Sequence, residues 1–516
     1  MVYFKTWFKP GRFGYDQGVF GGLISNADFL DVVDHPSEAF LGFIGTVSSL
    51  LSLLGEPVNP APRFVMTTDT ISIVSSYNLG CLGGCLLNFF FGGRLGRRQA
   101  LWVAMITLSI GAVIQTASYG APELIVGRIV TGVGVGIDTS TVPMYQAELC
   151  KSHVRGRLVT TEVLFTALGI AFAYFFTFGM DFVGGVIAWR LPIALQILPA
   201  IAISIVLFGL PETPRWLIER GRIDEAVEVM CKVYGAGPDD EYVRTEKAAI
   251  IHALELENQN PFSWAKVFKR DRVQTGWRVF LAILALNFNQ WAGINVVVFY
   301  IAVVLEVNVG LERNMALVAG GCINLAFAVG SLVPALFLDR IGRRKPMIIG
   351  AIGMALSLMT ISILLSFRGS SIEGPTSAAS IALFVIYMLF FGASLNAIPW
   401  CYAPEILPLK ARAKGTSLAV MTNWISVFII VMVTPTMIAN LQWRTYLVFM
   451  ACNIAIAPTI YFLFPETARL SLEDIDHLFV KDDEGYATAA YNSDSSPAEK
   501  AGSDKDGRAY NVETSA

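Results

Sequence analysis

Charged side chains are scarce in this chain. They make up 15% of its 516 residues, whereas an ordinary soluble domain has about 25%. Hydrophobic residues account for 54% of the chain. So little charge over such a length excludes an ordinary soluble enzyme and indicates a protein that crosses a membrane several times.

Histidines are also few, the net charge is small, and the cysteines form no recognisable pattern. Four histidines and a net charge of −3 give no basis for a metal centre or a nucleic-acid surface. The seven cysteines follow no repeated spacing, and Cys81 and Cys85 have no histidine beside them, so we expect the thiols to act as small apolar groups. No nucleotide loop and no nucleophile paired with a base occurs in the loops. The sequence therefore predicts no metal, no cofactor, no nucleic-acid partner and no enzyme activity.

Apolar runs long enough to cross a bilayer are, by contrast, frequent. A membrane helix needs about 20 mostly apolar residues. A further helix is expected at the start, around Trp7 to Leu30, but Lys5, Lys9 and Arg12 interrupt it. The eleven clear runs lie at 70–92, 99–118, 122–147, 157–179, 188–209, 277–305, 314–338, 345–366, 378–403, 413–437 and 443–464.

Lys and Arg fall mainly on every second connection between these runs. By the positive-inside rule those connections and both termini are predicted to be cytoplasmic. The domains are then a six-helix half at 1–210, a helical linker at 211–276, a second six-helix half at 277–464 and a cytoplasmic tail at 465–516. The tail is predicted to be disordered after about residue 480.

Residues 45–73 do not fit this plan. They carry Pro57, Pro60 and Pro62, and without them Ile44 would join Val74 in one continuous helix start. A retained intron and a genuine external loop are both open at this point.

Three charged signatures occur twice, in the same order and about 250 residues apart. Three repeats in register indicate an internal duplication. A duplicated membrane chain with charges at matching loop edges is the plan of a two-halved transporter, so the predicted fold class is an all-α membrane protein with two pseudo-symmetric halves. The repeats are RLGRR at 94–98 and RIGRR at 340–344, Glu148 with Arg155 and Glu405 with Arg412, and PETPR at 211–215 and PETAR at 465–469.

Further motifs resemble the sugar porters of the major facilitator superfamily, of the fungal sugar/proton symporter type, over about residues 13–480. They are GYDQG at 14–18, GR at 127–128, PMYQAE at 143–148, QWAGIN at 290–295 and the two PET motifs. The resemblance implies the major facilitator fold with 12 helices, the completeness of the first being left open. It also implies a monomeric, multi-pass plasma-membrane protein among lipids. Such a protein moves a monosaccharide or polyol by alternating access, together with a proton.

The glycines at 132, 134 and 136 lie in an apolar run with no lysine after them. We therefore expect close helix packing through small residues and not a phosphate loop.

Asp16 is a carboxylate inside the first span, where a charge is costly unless it is paired or reached by water. Arg128 is the cation within the fourth helix and its natural partner. A carboxylate that is paired in one conformation and released in another changes its proton affinity, and in the porters that this chain resembles an Asp here is associated with proton symport. The alternative is a plain buried salt bridge.

A sugar site needs amides for hydroxyl groups and aromatic rings for CH faces. The resemblance places such groups on the seventh, tenth and eleventh helices. Glu162 stands just before Val163, where the family has a Gln, so it could replace that amide, accept two sugar hydroxyls or carry a second proton. The alternative for Glu162 is a side chain near the cytoplasmic end of the span that extends to the water. The alternative for each membrane amide is a bond between helices. The predicted substrate-binding residues are Asn289, Gln290, Asn295, Tyr300, Trp400, Asn423 and Glu162.

Several positions depart from the family pattern. Asn289 replaces a Gln, Phe327 and Val427 replace Asn, and Leu395, Asn396 and Ala397 replace an aromatic residue, Gly and Pro. The usual hexose preference therefore cannot be assumed.

The repeated charges are expected to form a switchable network of ion pairs between the halves that holds the cytoplasmic side closed, or to serve as topology signals alone. The first copy has Gly93 where the second keeps Asp339. The predicted gate consists of Arg94, Arg98, Glu148, Arg155, Glu212, Asp339, Arg340, Arg344, Glu405, Arg412 and Glu466.

Three functions remain open from the sequence. A secondary transporter is favoured; a non-transporting sugar sensor on the same fold and an inactive product are the alternatives. A sensor would be expected to carry a long cytoplasmic tail, whereas this tail is short and low in complexity.

Overall fold

The computed structural model describes residues 68–149, 155–259 and 274–468. It also describes positions 15, 19–20, 23, 26, 28–29, 470, 475 and 478–479. The predictions that concern Asp16, the lysines of the first span and the tail beyond 480 lie outside these residues.

The first half consists of membrane helices that follow one another with short connections. Helices α5 and α6 together form one span, Gly185–Phe208. The helices are α1 Thr68–Leu95, α2 Arg97–Thr116, α3 Ala121–Leu149, α4 Arg155–Asp181, α5 Gly185–Leu195 and α6 Ile197–Phe208.

The linker that follows is helical. Its helices are α7 Pro214–Glu219, α8 Ile223–Tyr234 and α9 Glu241–Gln259. Ala226 and Met230 lie one turn apart on α8 and are buried, and they belong to a cluster that includes Leu217 of α7. The same cluster contains buried residues of α2, α3 and α6, so the linker packs against the first half.

The second half repeats the plan and contains two π-helices among its helices. A π-helix, Leu305–Val309, follows α11, and another, Gly392–Asn396, separates α14 from α15. The helices are α10 Thr275–Trp291, α11 Ile294–Val304, α12 Arg313–Ile341, α13 Arg344–Ser366, α14 Glu373–Phe391, α15 Ile398–Ile406, α16 Leu409–Leu441 and α17 Thr445–Leu463.

Ten segments of the described chain are long and apolar enough to cross a membrane. The last of them, Lys414–Leu463, contains most of α16 and all of α17, so each of the eleven predicted spans has its helix. No strand occurs in the described residues. The predicted all-α membrane fold is confirmed.

Residues of the first helix and of the 45–73 segment are described in part. Tyr15, Phe20 and Phe29 are buried, and the Tyr15 hydroxyl donates to the carbonyl of Pro192 on α5 at 3.0 Å. Helix α1 begins at Thr68, and Ile73, at the end of the suspect segment, is fully buried.

The three glycines of α3 are packing residues. A Cβ at Gly132 or Gly136 would collide with a backbone carbonyl of α1, and one at Gly134 would lie 2.7 Å from the carbonyl oxygen of Ala104 on α2. Because only glycine allows the backbones to come this close, α3 is held between α1 and α2. The predicted helix-packing role is confirmed.

The two halves meet along two equivalent seams. Helix α1 packs against α16, and α4 packs against α12. In the internal repeat α1 corresponds to α12 and α4 to α16, so the two seams are related by the pseudo-symmetry of the duplicated halves. Between the seams lies the space that a ligand could occupy.

Candidate substrate-binding site

The span that carries most of the predicted amides is broken in its middle. Gly293 separates α10 from α11 with a φ of 100°, a left-handed value that favours glycine. The carbonyl of Ala292, freed by the break, accepts hydrogen bonds from Tyr387 at 3.0 Å and Asn453 at 2.9 Å. The break is therefore satisfied internally, as a non-helical backbone in a membrane requires.

A cavity of about 110 Å³ lies beside this break, between the two halves. Helices α3 and α4 line it from the first half, and α10, α11, α12, α14, α15 and α16 from the second, together with the π-helix between α14 and α15. Among the described residues the lining consists of Thr139, Pro143, Val159, Glu162, Val163, Thr166, Ile170, Asn289, Gln290, Ile294, Asn295, Val298, Phe327, Phe391, Asn396, Trp400, Asn423, Trp424 and Val427.

Four amides of the second half form a connected group, here called the amide cluster: Asn289, Gln290, Asn295 and Asn423. The Gln290 side-chain nitrogen donates to Oδ1 of Asn289 at 2.8 Å and to Oδ1 of Asn423 at 3.0 Å. Its oxygen accepts from Nδ2 of Asn295 at 2.9 Å. Gln290 is thus the centre of the cluster, and both of its polar atoms are used.

The cluster leaves polar atoms for a ligand. No hydrogen bond within the described part of the chain uses Nδ2 of Asn423 or Oδ1 of Asn295, and both side chains line the cavity. One donor and one acceptor are the groups that a hydroxyl needs. The site can therefore hold a neutral, hydroxylated molecule without further rearrangement of these amides.

The first half contributes different chemistry. Glu162 is the one carboxylate among the described lining residues, which include no Lys, Arg or His. Thr166 also lines the cavity, and its hydroxyl donates to the Glu162 carbonyl at 3.3 Å. A carboxylate accepts hydrogen bonds from hydroxyls strongly, so Glu162 can bind a polyol opposite the amide cluster.

The aromatic groups of the cavity are Trp400, Trp424, Phe327 and Phe391. The Trp424 indole nitrogen donates to the Thr139 hydroxyl across the interface between the halves at 3.4 Å. The flat faces of such rings suit the CH faces of a sugar.

Tyr300 is placed elsewhere. It is fully buried, its hydroxyl donates to the Val431 carbonyl at 2.8 Å, and it is not among the lining residues. The other six predicted binding residues lie together on the cavity.

Arg128 is fully buried and belongs to a stack of aromatic rings. Its guanidinium carbon lies 3.8 Å from the ring centre of Phe20 and 4.4 Å from that of Tyr77, and its Nε donates to the Ile73 carbonyl at 3.4 Å. The Tyr77 ring in turn contacts Trp424 at 6.3 Å. A chain of ring contacts therefore joins Arg128 to the cavity, while its predicted partner Asp16 lies outside the described residues.

The repeated charged signatures come together at one end of the molecule, here called the signature end. Arg97 pairs with Glu148 at 2.9 Å in the first half, and Arg343 pairs with Glu405 at 2.9 Å in the second. Arg343 also lies 3.5 Å from Asp339. These ion pairs lie within each half, whereas the sequence suggested pairs between halves.

The PET acids cap helices. Glu212 accepts from the backbone N–H groups of Arg97 and Arg98, each at 3.0 Å, and Glu466 accepts from those of Arg343 at 2.8 Å and Arg344 at 3.0 Å. A carboxylate at a helix N-terminus satisfies free N–H groups and the helix dipole. This geometry explains why each PET motif accompanies an arginine signature.

The pKa of one group in each signature is shifted from its ordinary value. Burial raises the pKa of Glu212, although the backbone N–H groups and the charge of Arg97 oppose the change. Burial alone would lower the pKa of Arg343, but the charge and hydrogen bonds of Glu405 outweigh it and raise that pKa. Arg343 therefore stays charged in its pair.

The remaining predicted gate residues have separate places. Arg98 donates to the carbonyls of Leu207 and Phe208, Arg344 donates to the Tyr461 carbonyl, and Arg412 donates to the Leu407 carbonyl at 3.4 Å. Arg94 and Arg340 are exposed. Arg155 begins α4.

Helix α4 contacts the second half at both of its ends. At the signature end the Cys401 thiol donates to the Gly156 carbonyl at 3.8 Å. At the opposite end Arg313 of α12 pairs with Asp181 of α4 at 3.0 Å, and Asn26 donates to Asp181 at 3.0 Å. The two halves therefore approach each other on both sides of the cavity.

The sequence did not single out Arg97 and Arg343 as the paired cations, nor Thr139, Thr166 and Asn396 as lining residues. Arg97 and Arg343 each follow a glycine of positive φ, Gly96 at 83° and Gly342 at 89°. Their position directly after that glycine is the signal that could have found them.

Two related bundles of membrane helices with a polar cavity between them are the plan of a two-halved membrane transporter. The family model "Sugar (and other) transporter" matches residues 6–479. The chain belongs to this family of the major facilitator superfamily, whose members are transporters and not enzymes.

Relatives and solved structures agree with this assignment. The chain is 36% identical to the MFS-type transporter oryC of Aspergillus oryzae over 90% of this chain and 82% of that protein. It is 33% identical to the sugar transporter STL1 of Saccharomyces cerevisiae over 91% of this chain and 79% of that protein. The fold resembles that of XylE, a proton:xylose symporter, with a TM-score of 0.74 and 22% identity over 93% of this chain and 98% of that one.

Proposed function

We propose that the protein is a secondary active transporter that moves a neutral monosaccharide or polyol across a membrane by alternating access, together with a proton. The observation that carries this proposal is the cavity between the halves, with the amide cluster on one wall and Glu162 on the other. Amides and a carboxylate recognise hydroxyl groups. The similarity to STL1, a sugar transporter, and to XylE, a proton:xylose symporter, supports the same substrate class.

In this proposal Gln290, Asn295, Asn423 and Glu162 bind hydroxyl groups and Trp400 packs against a CH face of the substrate. Asn289 supports Gln290 through the cluster. Tyr300 is the predicted ligand with the least support, since its hydroxyl is already bonded inside the bundle.

Proton coupling is assigned to Asp16 with Arg128. The support is the buried position of Arg128 and its aromatic contacts, which continue to Trp424 on the cavity wall. A movement of Trp424 around a substrate would disturb the surroundings of Arg128, and a carboxylate beside it would change its proton affinity.

The signature end is proposed to face the cytoplasm, with both termini on that side, and the protein is proposed to work as a monomer in the plasma membrane. The excess of Lys and Arg on the connections at that end supports the orientation. The predicted gate charges are proposed to stabilise this end when it is closed, each half doing so through its own ion pairs.

The test is uptake of a panel of radiolabelled sugars and polyols in a transporter-deficient yeast, with and without a protonophore. We expect saturable accumulation of at least one compound, abolished by the protonophore. Surface-expressed protein that accumulates none of them would overturn the proposal.

The coupling residue is tested with Asp16→Asn. This variant is expected to exchange substrate across the membrane but to lose uphill accumulation, because the titrating group is gone. Unchanged protonophore-sensitive accumulation in the variant would remove Asp16 from the mechanism.

A further inference from the structure

The wall of the cavity contains an irregular piece of backbone. Between α14 and α15 the chain forms the π-helix Gly392–Asn396. A π-helix displaces the regular hydrogen-bond pattern, and such turns are frequent at functional sites. Asn396, its last residue, lines the cavity.

Close packing fixes the position of this π-helix. A Cβ at Gly392 would lie 2.5 Å from the Phe327 carbonyl oxygen, and a Cβ at Gly330 would lie 2.5 Å from that of Leu389. Backbone-to-backbone contact of this kind leaves no room for a shift between α12 and the π-helix. The side chain of Asn396 is therefore presented from a rigid support.

A side chain of another helix satisfies the end of the π-helix. Nδ2 of Asn289 donates to the carbonyls of Leu395 at 2.7 Å and Asn396 at 3.2 Å. Its Oδ1 accepts from Gln290. Since both polar atoms of Asn289 are bonded within the protein, it joins the amide cluster to the backbone that carries Asn396.

The side-chain amide of Asn396 has a defined orientation. Its Nδ2 donates to the Ser331 hydroxyl at 3.0 Å, and that hydroxyl donates to the Phe327 carbonyl at 3.0 Å. Within the described chain no hydrogen bond uses Oδ1 of Asn396. The amide is thus held by its nitrogen, with its oxygen left as an acceptor on the cavity wall.

We propose that Asn396 is a specificity-determining ligand that accepts a hydrogen bond from one hydroxyl of the substrate, and that Asn289 is its positioning residue. This inference rests on the proposed transport of a neutral polyol. The π-helix thereby contributes a third polar group to the cavity wall, besides the amide cluster and Glu162.

The test compares wild type, Asn396→Ala and Asn396→Asp in the uptake of the transported panel compound and of its monodeoxy analogues. Loss of one accepted hydroxyl bond corresponds to about a threefold to tenfold rise in KM. We expect this rise in the Ala variant with an unchanged maximal rate, and a smaller one in the Asp variant, which keeps an acceptor. The control is Asn324→Ala, which removes a buried amide that bonds within α12 and does not line the cavity.

The deoxy analogues separate a ligand from a structural residue. For the one analogue that lacks the bonded hydroxyl, Asn396→Ala and wild type should have the same KM. An equal defect for every analogue, or no defect for any compound, would overturn the inference while leaving transport itself established. If the wild type takes up no polyol at all, the proposed function fails, and this inference fails with it.

The positioning role of Asn289 is tested by combining its substitution with that of Asn396. Asn289→Asp keeps the oxygen that accepts from Gln290 but loses the donors to the π-helix. If it acts through Asn396, its effect on KM should largely disappear in the Asn396→Ala background, because effects on one shared interaction are not additive. Full additivity of the two substitutions would exclude the positioning role.

Discussion

The two halves of this duplicated protein have similar structures at the signature end and different side chains at the cavity. At the cavity the second half supplies the amide cluster and Asn396, whereas the first half supplies Glu162, two threonine hydroxyls and apolar side chains. A directional, interconnected network of amides stands opposite a carboxylate and hydroxyl groups. The difference indicates that the second half fixes the position of a ligand and that the first half completes its coordination.

At the signature end the same motifs form almost the same structure twice. Tyr145 donates to the Pro211 carbonyl at 2.9 Å and Tyr402 to the Pro465 carbonyl at 3.0 Å. In both halves a PET glutamate caps the helix that begins beside the arginine pair. This agreement explains why the repeats survive in the sequence: each residue type is needed by a specific bond.

The copies differ in the number of carboxylates around the central arginine. Arg343 has both Glu405 and Asp339 within ion-pair distance, and Thr467 donates to Glu405 at 2.9 Å. Among described residues Arg97 has Glu148. The arginine of the second copy therefore has a second carboxylate partner that the arginine of the first copy lacks among the described residues.

The largest effect is expected at the centre of the amide cluster. Gln290→Ala removes three hydrogen bonds. Asn289, Asn295 and Asn423 each lose the partner that the Gln290 side chain provides. Since each unsatisfied buried polar group costs about 1–3 kcal/mol, we expect uptake efficiency, kcat/KM, to fall at least about 100-fold. Radiolabelled uptake, normalised to the amount of protein at the surface, measures it.

The matched substitution in the first half is Thr166→Ala. It removes one hydroxyl from the opposite wall and should cost less than about tenfold, because a single neutral hydrogen bond is worth about 0.5–1.5 kcal/mol. Equal losses in the two variants would contradict the unequal roles of the halves.

A smaller difference is expected between the ion pairs of the signature end. Glu148→Gln leaves Arg97 without the carboxylate that it has among the described residues, whereas Glu405→Gln leaves Arg343 with Asp339. A hydrogen bond to a charged group is worth about 1.5–3 kcal/mol, so Glu148→Gln should lower stability by about that amount and Glu405→Gln by less. Thermal unfolding in detergent would compare the two proteins.

The side chains in these pairs are exposed to solvent to a similar extent, so the two substitutions can be compared directly. Arg97 and Glu148 are 12% and 15% exposed, and Arg343 and Glu405 are 7% and 17% exposed. If Glu405→Gln were the more destabilising change, redundancy could not explain the difference between the copies.

The fold could be predicted because its signals are local. Each span is an apolar run whose length matches the bilayer, and the charged signatures repeat at matching edges, so the two halves follow from the sequence alone. The amides that line the cavity could be predicted for a related reason: Gln290 and Asn295 lie in one short motif beside a glycine break.

The details of the site depend on contacts between distant parts of the chain. Nothing local to Asn289 indicates that it bonds to a π-helix more than a hundred residues away. Tyr300 is a predicted ligand that does not line the cavity. It lies five residues beyond Asn295, over which a helix turns by about 140°, so its ring points away from the cavity that Asn295 lines. Val298 lines the cavity in its place.

A moderate effect is expected where the halves meet away from the signature end. Asp181→Asn removes the charge that holds Arg313 and should favour separation of α4 from α12 at that end. The pair is 24% and 16% exposed, and we expect a shift of about 1 kcal/mol, or roughly fivefold in population. Spin labels at Phe182 and Met315, both exposed, would report the distance distribution.

The control is Asp239→Asn, which breaks the exposed Arg244–Asp239 pair of the linker and should leave that distribution unchanged. An unchanged distribution in Asp181→Asn as well would show that this pair does not hold the halves together.

The smallest effect is expected from making the two copies alike. Gly93 lies four residues before Arg97, as Asp339 lies four before Arg343; it is exposed, and a Cβ there would meet nothing within 4 Å. Gly93→Asp should therefore add a second carboxylate beside Arg97 and stabilise the protein by about 0.2–1 kcal/mol relative to Gly93→Asn, which has nearly the same size and backbone effect without the charge. In the Glu148→Gln background the same substitution should restore part of the lost thermal stability. If Asp and Asn at position 93 behave alike in both backgrounds, the missing acid does not distinguish the two signatures, and the bond between Thr467 and Glu405 is the contact to test next.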